Sequence, residues 1–278
     1  VSRRLAAIDM ATIAYMACAS LAYALRWPKG RPFPWLVLAA HAALAGLAAV
    51  APRLRARGGG ASFLGDLYPL LAVFGLYREI GFLNTAAGAV YDDAVLRWEA
   101  LVFGGQPSLA WIRAWPWPAL SWPLHLGYLS YYLLLAAPPA VWLSGRREGA
   151  RQVVALTMTA FYLCYVVFLF FPVAGPRYLF PRADNPATRL PIVALIHRLL
   201  AGGSSWGTAF PSSHVAAGLT VALATFRACR PLGVALLPLA LLLSLGTVYG
   251  QFHYALDALA GAAVAGVVYA FRRRLAGP

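Results

Sequence analysis

The residues best suited to chemistry lie in the last third of the chain. His253 and Asp257, in FHYALDALAG, are spaced i, i+4, which sets both on one face of a helix. A carboxylate so placed holds one ring N–H, fixes the tautomer and stabilises the imidazolium that forms when the other nitrogen reacts. From Asn185 to the C-terminus Asp257 is the only carboxylate, and a lone buried acid needs a partner, which His253 supplies. Upstream, Pro211-Ser212-Ser213-His214 opens an apolar run. Proline suits a first helical turn, and the free N–H groups of that turn form an anion site. Ser212 and Ser213 add hydroxyl donors there, with His214 close by. Gly175-Pro176-Arg177 closes another apolar run and presents a guanidinium suited to bidentate phosphate recognition. Each feature has a bland counterpart: a helix-stabilising pair, a serine-capped helix start, an interfacial arginine. Together they supply a phosphate cradle, a nucleophile with an orienting acid, and a second histidine.

The elements that must hold these residues are membrane helices. The chain has 278 residues, 61% of them hydrophobic and 12% charged, and its mean hydropathy of +0.67 argues against a soluble globular domain. Apolar runs near the ~20 residues of a spanning helix recur along its length, and alternating strands of a barrel are absent. The expected fold is all-α and polytopic, with about eight spans: roughly 5–25, 34–51, 65–84, 119–143, 151–172, 211–228, 232–250 and 254–272. The third span carries Arg78, Glu79 and Asn84, read as a local ion pair or an interfacial end. Between 86 and 118 the sequence is too polar to span and reads as helix lying in the interface, over a lipid entrance. In the loop 178–210, LPIVALIHRLLAG reads as a short amphipathic helix, either a lid or acceptor-binding element or a passive one.

The net charge of +14 follows membrane topology rather than nucleic-acid binding, because the basic residues sit in short loops between apolar runs. Thirteen arginines fall on one side and nine basic residues on the other, which places both termini in the cytoplasm. The termini of the runs carrying Arg177, His214 and His253 then converge on the non-cytoplasmic face, in what would be a bacterial cytoplasmic membrane. Cys18, Cys164 and Cys229 show no metal or disulfide spacing and read as packing residues. His41, His125 and His197 have no such partners in sequence.

PSSH followed by HYALD resembles the second and third motifs of the type 2 phosphatidic acid phosphatase superfamily. Within it, PVAGPR, FPSSH and FHYALDALAG look closest to the branch of inositol phosphorylceramide synthase and its bacterial relatives. The resemblance covers roughly 119–272, so 119–278 is expected to be the catalytic core of five to six helices. Residues 1–118 are expected to add membrane helices and the interfacial segment. The resemblance implies His253 as nucleophile, Asp257 as its orienter and His214 as the acid for the leaving oxygen. It implies Arg177, Ser212 and Ser213 as the phosphate shell. Gly246-Thr247 stands where the broad superfamily has Ser-Arg, and Gly-Pro-Arg replaces the usual first motif. These departures favour the synthase-like branch and leave Arg182 or Arg189 to replace the missing charge.

The implied activity is metal-independent and cofactor-free phosphoryl chemistry on a lipid phosphate or phospholipid, through a phosphohistidine. Water as acceptor makes a phosphatase, and an alcohol makes a phosphotransferase. Two other classes use the same residues. A transporter or lipid-binding protein would line its path with them. A metal or haem centre would take His214 and His253 as ligands, although Asp257 is better placed to orient His253.

Overall fold

The computed structural model describes residues 5–276; Arg3 and Arg4, counted above for orientation, lie outside them. Fifteen helices follow one another: α1 (Ala7–Arg26), α2 (Trp35–Arg57), α3 (Gly59–Ala87), α4 (Asp92–Phe103), α5 (Pro107–Ala114), α6 (Pro118–Leu129), α7 (Tyr131–Leu135), α8 (Ala137–Leu143), α9 (Arg147–Phe170), α10 (Pro176–Leu179), α11 (Pro191–Gly203), α12 (Ser213–Ala228), α13 (Arg230–Tyr249), α14 (Ala255–Ala270) and α15 (Arg272–Ala276). Five of them, α1, α2, α3, α9 and α13, are long and apolar enough to cross a membrane. The chain is an all-α polytopic membrane protein.

The span expected over 119–143 is broken. α6 and α7 run together and α8 turns from them by 40°. Pro138 and Pro139 follow the break, and a proline ring removes a donor and clashes with the preceding turn. The helices that carry His214 and Asp257 are also short. α12 and α14 have 16 residues each, roughly 24 Å at 1.5 Å per residue against a hydrocarbon core of about 30 Å.

The main apolar cluster centres on α12, which packs on α9, α13 and α14. α1 and α3 lean on α9 from the outside. Close approach depends on small residues where backbones meet. A Cβ at Gly261 of α14 would lie 2.4 Å from the Ser212 carbonyl oxygen at the start of α12.

The two ends of the bundle are tied differently. At one end, Arg55 donates to Asp9 at 2.6 and 2.7 Å and sits 3.3 Å from Asp66, which also accepts from Arg151 and from the Trp142 indole. Both carboxylates are fully desolvated, and the guanidinium groups balance them. At the other end, Asn84 of α3 accepts from Arg26 and donates to the Phe168 and Gly207 carbonyls. Arg26 also donates to the Leu169 carbonyl. Arg78 and Glu79 do not pair with one another: Glu79 meets His41 at 2.7 Å, and Arg78 donates to the Gly202 carbonyl.

Candidate active site

The turn between α13 and α14 presents His253. Thr247, buried in the last turn of α13, accepts the backbone N–H groups of both Phe252 and His253 on its carbonyl, each at 3.0 Å. Gln251 takes a positive φ of 60° in that turn, an uncommon conformation for a residue with a side chain. Its amide oxygen accepts from Arg113 of α5 at 3.2 Å. The tight turn aims the ring of His253 inward, where Nδ1 meets Asp257 Oδ2 at 3.3 Å. The same carboxylate oxygen accepts the Tyr254 N–H at 2.9 Å and so caps α14. Burial pushes the His253 imidazole down to about 4, opposed by the Ala209 carbonyl. The ring is therefore neutral near pH 7, the form in which nitrogen is a nucleophile.

The second histidine comes from a different helix. Ser212 is the N-cap of α12, and its Oγ accepts the Val215 N–H at 3.4 Å. Its own N–H donates to the Asp257 carbonyl at 2.9 Å, which ties the start of α12 to the first turn of α14. Pro211 therefore precedes the cap instead of occupying the first turn. His214 follows in that turn, its ring 5.5 Å from that of His253, between centroids. Tyr131 and Tyr128 flank it at 4.5 and 5.6 Å. The His214 Nδ1 is buried without a hydrogen-bond partner.

Arg177 is delivered by the loop after α9. Gly175, at φ 93° and ψ 164°, occupies a region open in practice only to glycine. A Cβ there would sit 2.9 Å from that of Ala209. The loop lies against the segment before α12 through a parallel bridge between Val173 and Thr208. Arg177 packs on the ring of Tyr178 at 5.1 Å. It shares with His214, His253, Tyr128, Ala209 and Phe252 a cleft of about 30 Å³. Ser212 and Ser213 are buried beside His214 and do not line it.

The sequence motifs say nothing of the acids that hold this assembly. Asp92 of α4 accepts the N–H groups of Ala174 and Gly175, both at 2.8 Å, and the Tyr254 hydroxyl at 3.0 Å. Glu99, two turns on, accepts the Ala255 N–H at 2.6 Å, at the N-terminus of α14. Both side chains are buried. Burial pushes the Glu99 carboxyl up to about 7; the Ala255 N–H opposes this and the charge of Asp257 adds to it. Asp92, Val95 and Glu99 fall at i, i+3, i+7, one buried face of α4, while Asp93, Arg97 and Leu101, at i, i+4, i+8, are exposed on the other. That spacing is the signal that identifies them.

A second, wider cavity of about 550 Å³ adjoins the cleft, and Arg177 lines both. Arg182 and Arg189, the candidates for the missing charge, line this wider cavity and not the cleft. Among the described residues, no group of three or more His, Cys, Asp or Glu side chains forms a metal-ligand set.

A family model described as the PAP2 superfamily matches residues 93–271. The matched stretch opens in α4, one residue after Asp92, and runs through the end of α14. No curated protein and no solved structure matches the chain.

Proposed function

From the premise that this chain belongs to the PAP2 superfamily, we propose that it is a membrane-embedded lipid phosphatase or phosphotransferase working through a phosphohistidine. The observation that carries the reading is the pairing of two imidazoles, His214 of α12 and the buried His253 of the turn before α14, 5.5 Å apart on one cleft with Arg177. Asp257 occupies Nδ1 of His253, so Nε2 is the attacking atom. Nε2 forms a bond to phosphorus as the ester P–O bond breaks, and the leaving oxygen takes a proton from protonated His214. Arg177 and the N–H groups at the start of α12 stabilise the charge on the phosphoryl oxygens. An incoming hydroxyl then gives its proton to His214 and bonds to phosphorus as the N–P bond breaks. Ser213 serves through its backbone N–H group, while Ser212, whose own N–H is taken by the Asp257 carbonyl, serves by capping α12. The cleft holds little more than a water, so phosphate enters by displacing the Arg177 and Tyr178 side chains at its rim.

Two features favour a lipid substrate and, beyond hydrolysis, transfer. The short α12 and α14 seat the histidines near headgroup depth, where a lipid tail stays in the bilayer. Thr247, at the position of the superfamily arginine, is buried with its hydroxyl on the Ser244 carbonyl and offers no charge to phosphate. The excess of arginine on the opposite side supports a site on the non-cytoplasmic face.

The test is phosphate release and headgroup transfer from lipid phosphates by purified protein, with and without vanadate. An acid-labile, alkali-stable phosphoprotein should form in the wild type and be missing in His253→Ala. Turnover by His253→Ala at the wild-type rate would remove the assignment.

A further inference from the structure

The wider cavity has a charge pattern that the phosphoryl site does not need. Its volume of about 550 Å³ lies in the range of small-molecule sites. Four arginines line it, Arg177, Arg182, Arg189 and Arg198, against a single carboxylate, Asp184. That carboxylate is already held by Arg189 at 3.0 Å. Arg177 stacks on Tyr178 and faces the histidines, while Arg182 and Arg198 make no hydrogen bond or ion pair with the described residues. Between them His197 has a buried Nδ1 with no partner. Burial, and then the charges of Arg182 and Arg177, push its imidazole down to about 4, so the ring adds hydrogen-bonding capacity without further charge. Unbalanced guanidinium groups around a cavity repel one another until an anion enters, and planar guanidinium matches phosphate oxygens in pairs.

We propose that this cavity is a second anion subsite, in which Arg182 and Arg198 seat a phosphate group of the polar moiety that leaves or enters while the scissile phosphate lies on Arg177. The inference rests on the phosphoryl-transfer reading and adds a substrate class: a polar headgroup or acceptor that carries its own phosphate besides the one transferred. Such a moiety reaches the site as the headgroup of the donor lipid or as a free, water-soluble alcohol. In the second case its hydroxyl oxygen bonds to phosphorus, its proton passes to His214 and the His253 N–P bond breaks. The lipid tail and the second phosphate then lie on opposite sides of Arg177.

Two kinetic arms separate the sources. The donor arm compares phosphatidylinositol with its 4-phosphate, and the acceptor arm compares glycerol with glycerol 3-phosphate against a lipid monophosphate donor. The wild type should favour the phosphorylated member of one pair by about tenfold or more in kcat/KM, one good charge-assisted contact's worth. The arm that shows the preference names the source. Arg182→Gln/Arg198→Gln should erase most of that ratio, chiefly through KM, and Arg182→Lys/Arg198→Lys should restore part of it. Both side chains are exposed and unbonded, so these variants retain the fold. A ratio unmoved in the glutamine variant overturns the subsite. Calorimetric titration of His253→Ala with glycerol 3-phosphate keeps this separate from catalysis: binding that disappears with Arg182 and Arg198 upholds the subsite even if His253 proves dispensable. No binding there and no preference in turnover sink it.

Discussion

The Tyr254 hydroxyl donates to Asp92 Oδ1 across 3.0 Å, joining residues 162 positions apart. Through that carboxylate, the N–H groups that fix the Arg177 loop and the residue that opens α14 share one anchor. Arg177 and His253, the proposed phosphate arm and nucleophile, are thus tied to one another by a side chain that touches neither.

Asp92 is accordingly a positioning residue. Asp92→Ala leaves two buried N–H groups and a hydroxyl without their acceptor, at about 1–3 kcal/mol for each such loss. Activity should fall on the order of a hundredfold, with KM for the phosphate substrate rising because Arg177 is released. Asp92→Asn keeps one acceptor oxygen and should recover part of both. Equal loss in the two variants, or a change in kcat alone, would contradict the assignment. The readouts are kcat, KM and the melting temperature in detergent.

Asp257 has two duties that different substitutions separate. Asp257→Asn keeps an oxygen to cap α14 and loses the charge that orients His253. Its melting temperature should stay near wild type while kcat drops by about two to four orders of magnitude, the range seen when the acid of a catalytic triad is neutralised. Asp257→Ala should lose stability as well, by about 1 kcal/mol for the cap. Thermal melts beside single-turnover rates distinguish these outcomes.

Gly175 and Gly261 test the backbone approach. Gly175→Ala forces a side chain into a glycine-only conformation, at about 1–3 kcal/mol, and against Ala209. It should weaken phosphate binding through Arg177 more than it changes the melt. Gly261→Ala drives a methyl into the Ser212 carbonyl, which separates α14 from α12. It should lower the melting temperature and the rate together, about 1–3 kcal/mol for overpacking. A Gly261→Ala protein with wild-type stability and rate would refute this account of the contact.

Stability should depend on pH through groups near the site. His253 and His197 titrate near 4 in the folded chain against 6.5 unfolded. Between those values the unfolded chain binds more protons, so their contribution to stability rises with pH across that window. Glu99, near 7 folded against 4.5 unfolded, works in the opposite direction as it keeps a proton that the unfolded chain releases. His197→Asn should flatten the rise in melting temperature, and Glu99→Gln should steepen it. Melts across the interval, in the same detergent, report both slopes.

Much of this was readable from the chain alone, and the limits have physical causes. The long apolar runs name their helices, since hydrocarbon leaves the backbone no other partner. His253 and Asp257 declare their contact because i, i+4 spacing is local. The meeting of His214, Arg177 and His253 follows once spans alternate across a bilayer. Asp92 and Glu99 escaped notice because their partners, three backbone N–H groups and one tyrosine hydroxyl, lie far along the chain, beyond any local pattern. The break at Ala136 hid within an apolar run long enough to be one span. The cavity with Arg182 and Arg198 depends on how α11 folds back, which no local pattern encodes.

α4 is two-faced: its buried side carries Asp92 and Glu99, and its exposed side mixes Asp93 and Arg97 with Trp98 and Leu101. Such a mixed outer face, with Leu101 84% exposed, suits the boundary between headgroups and acyl chains, while its inner carboxylates hold the loop of Arg177 and the start of α14. A displacement of α4 at that boundary would carry with it the Arg177 loop and the start of α14, the two parts of the proposed site that its carboxylates hold. Delipidation should therefore silence the protein while every catalytic side chain remains intact, and added phospholipid should bring the rate back.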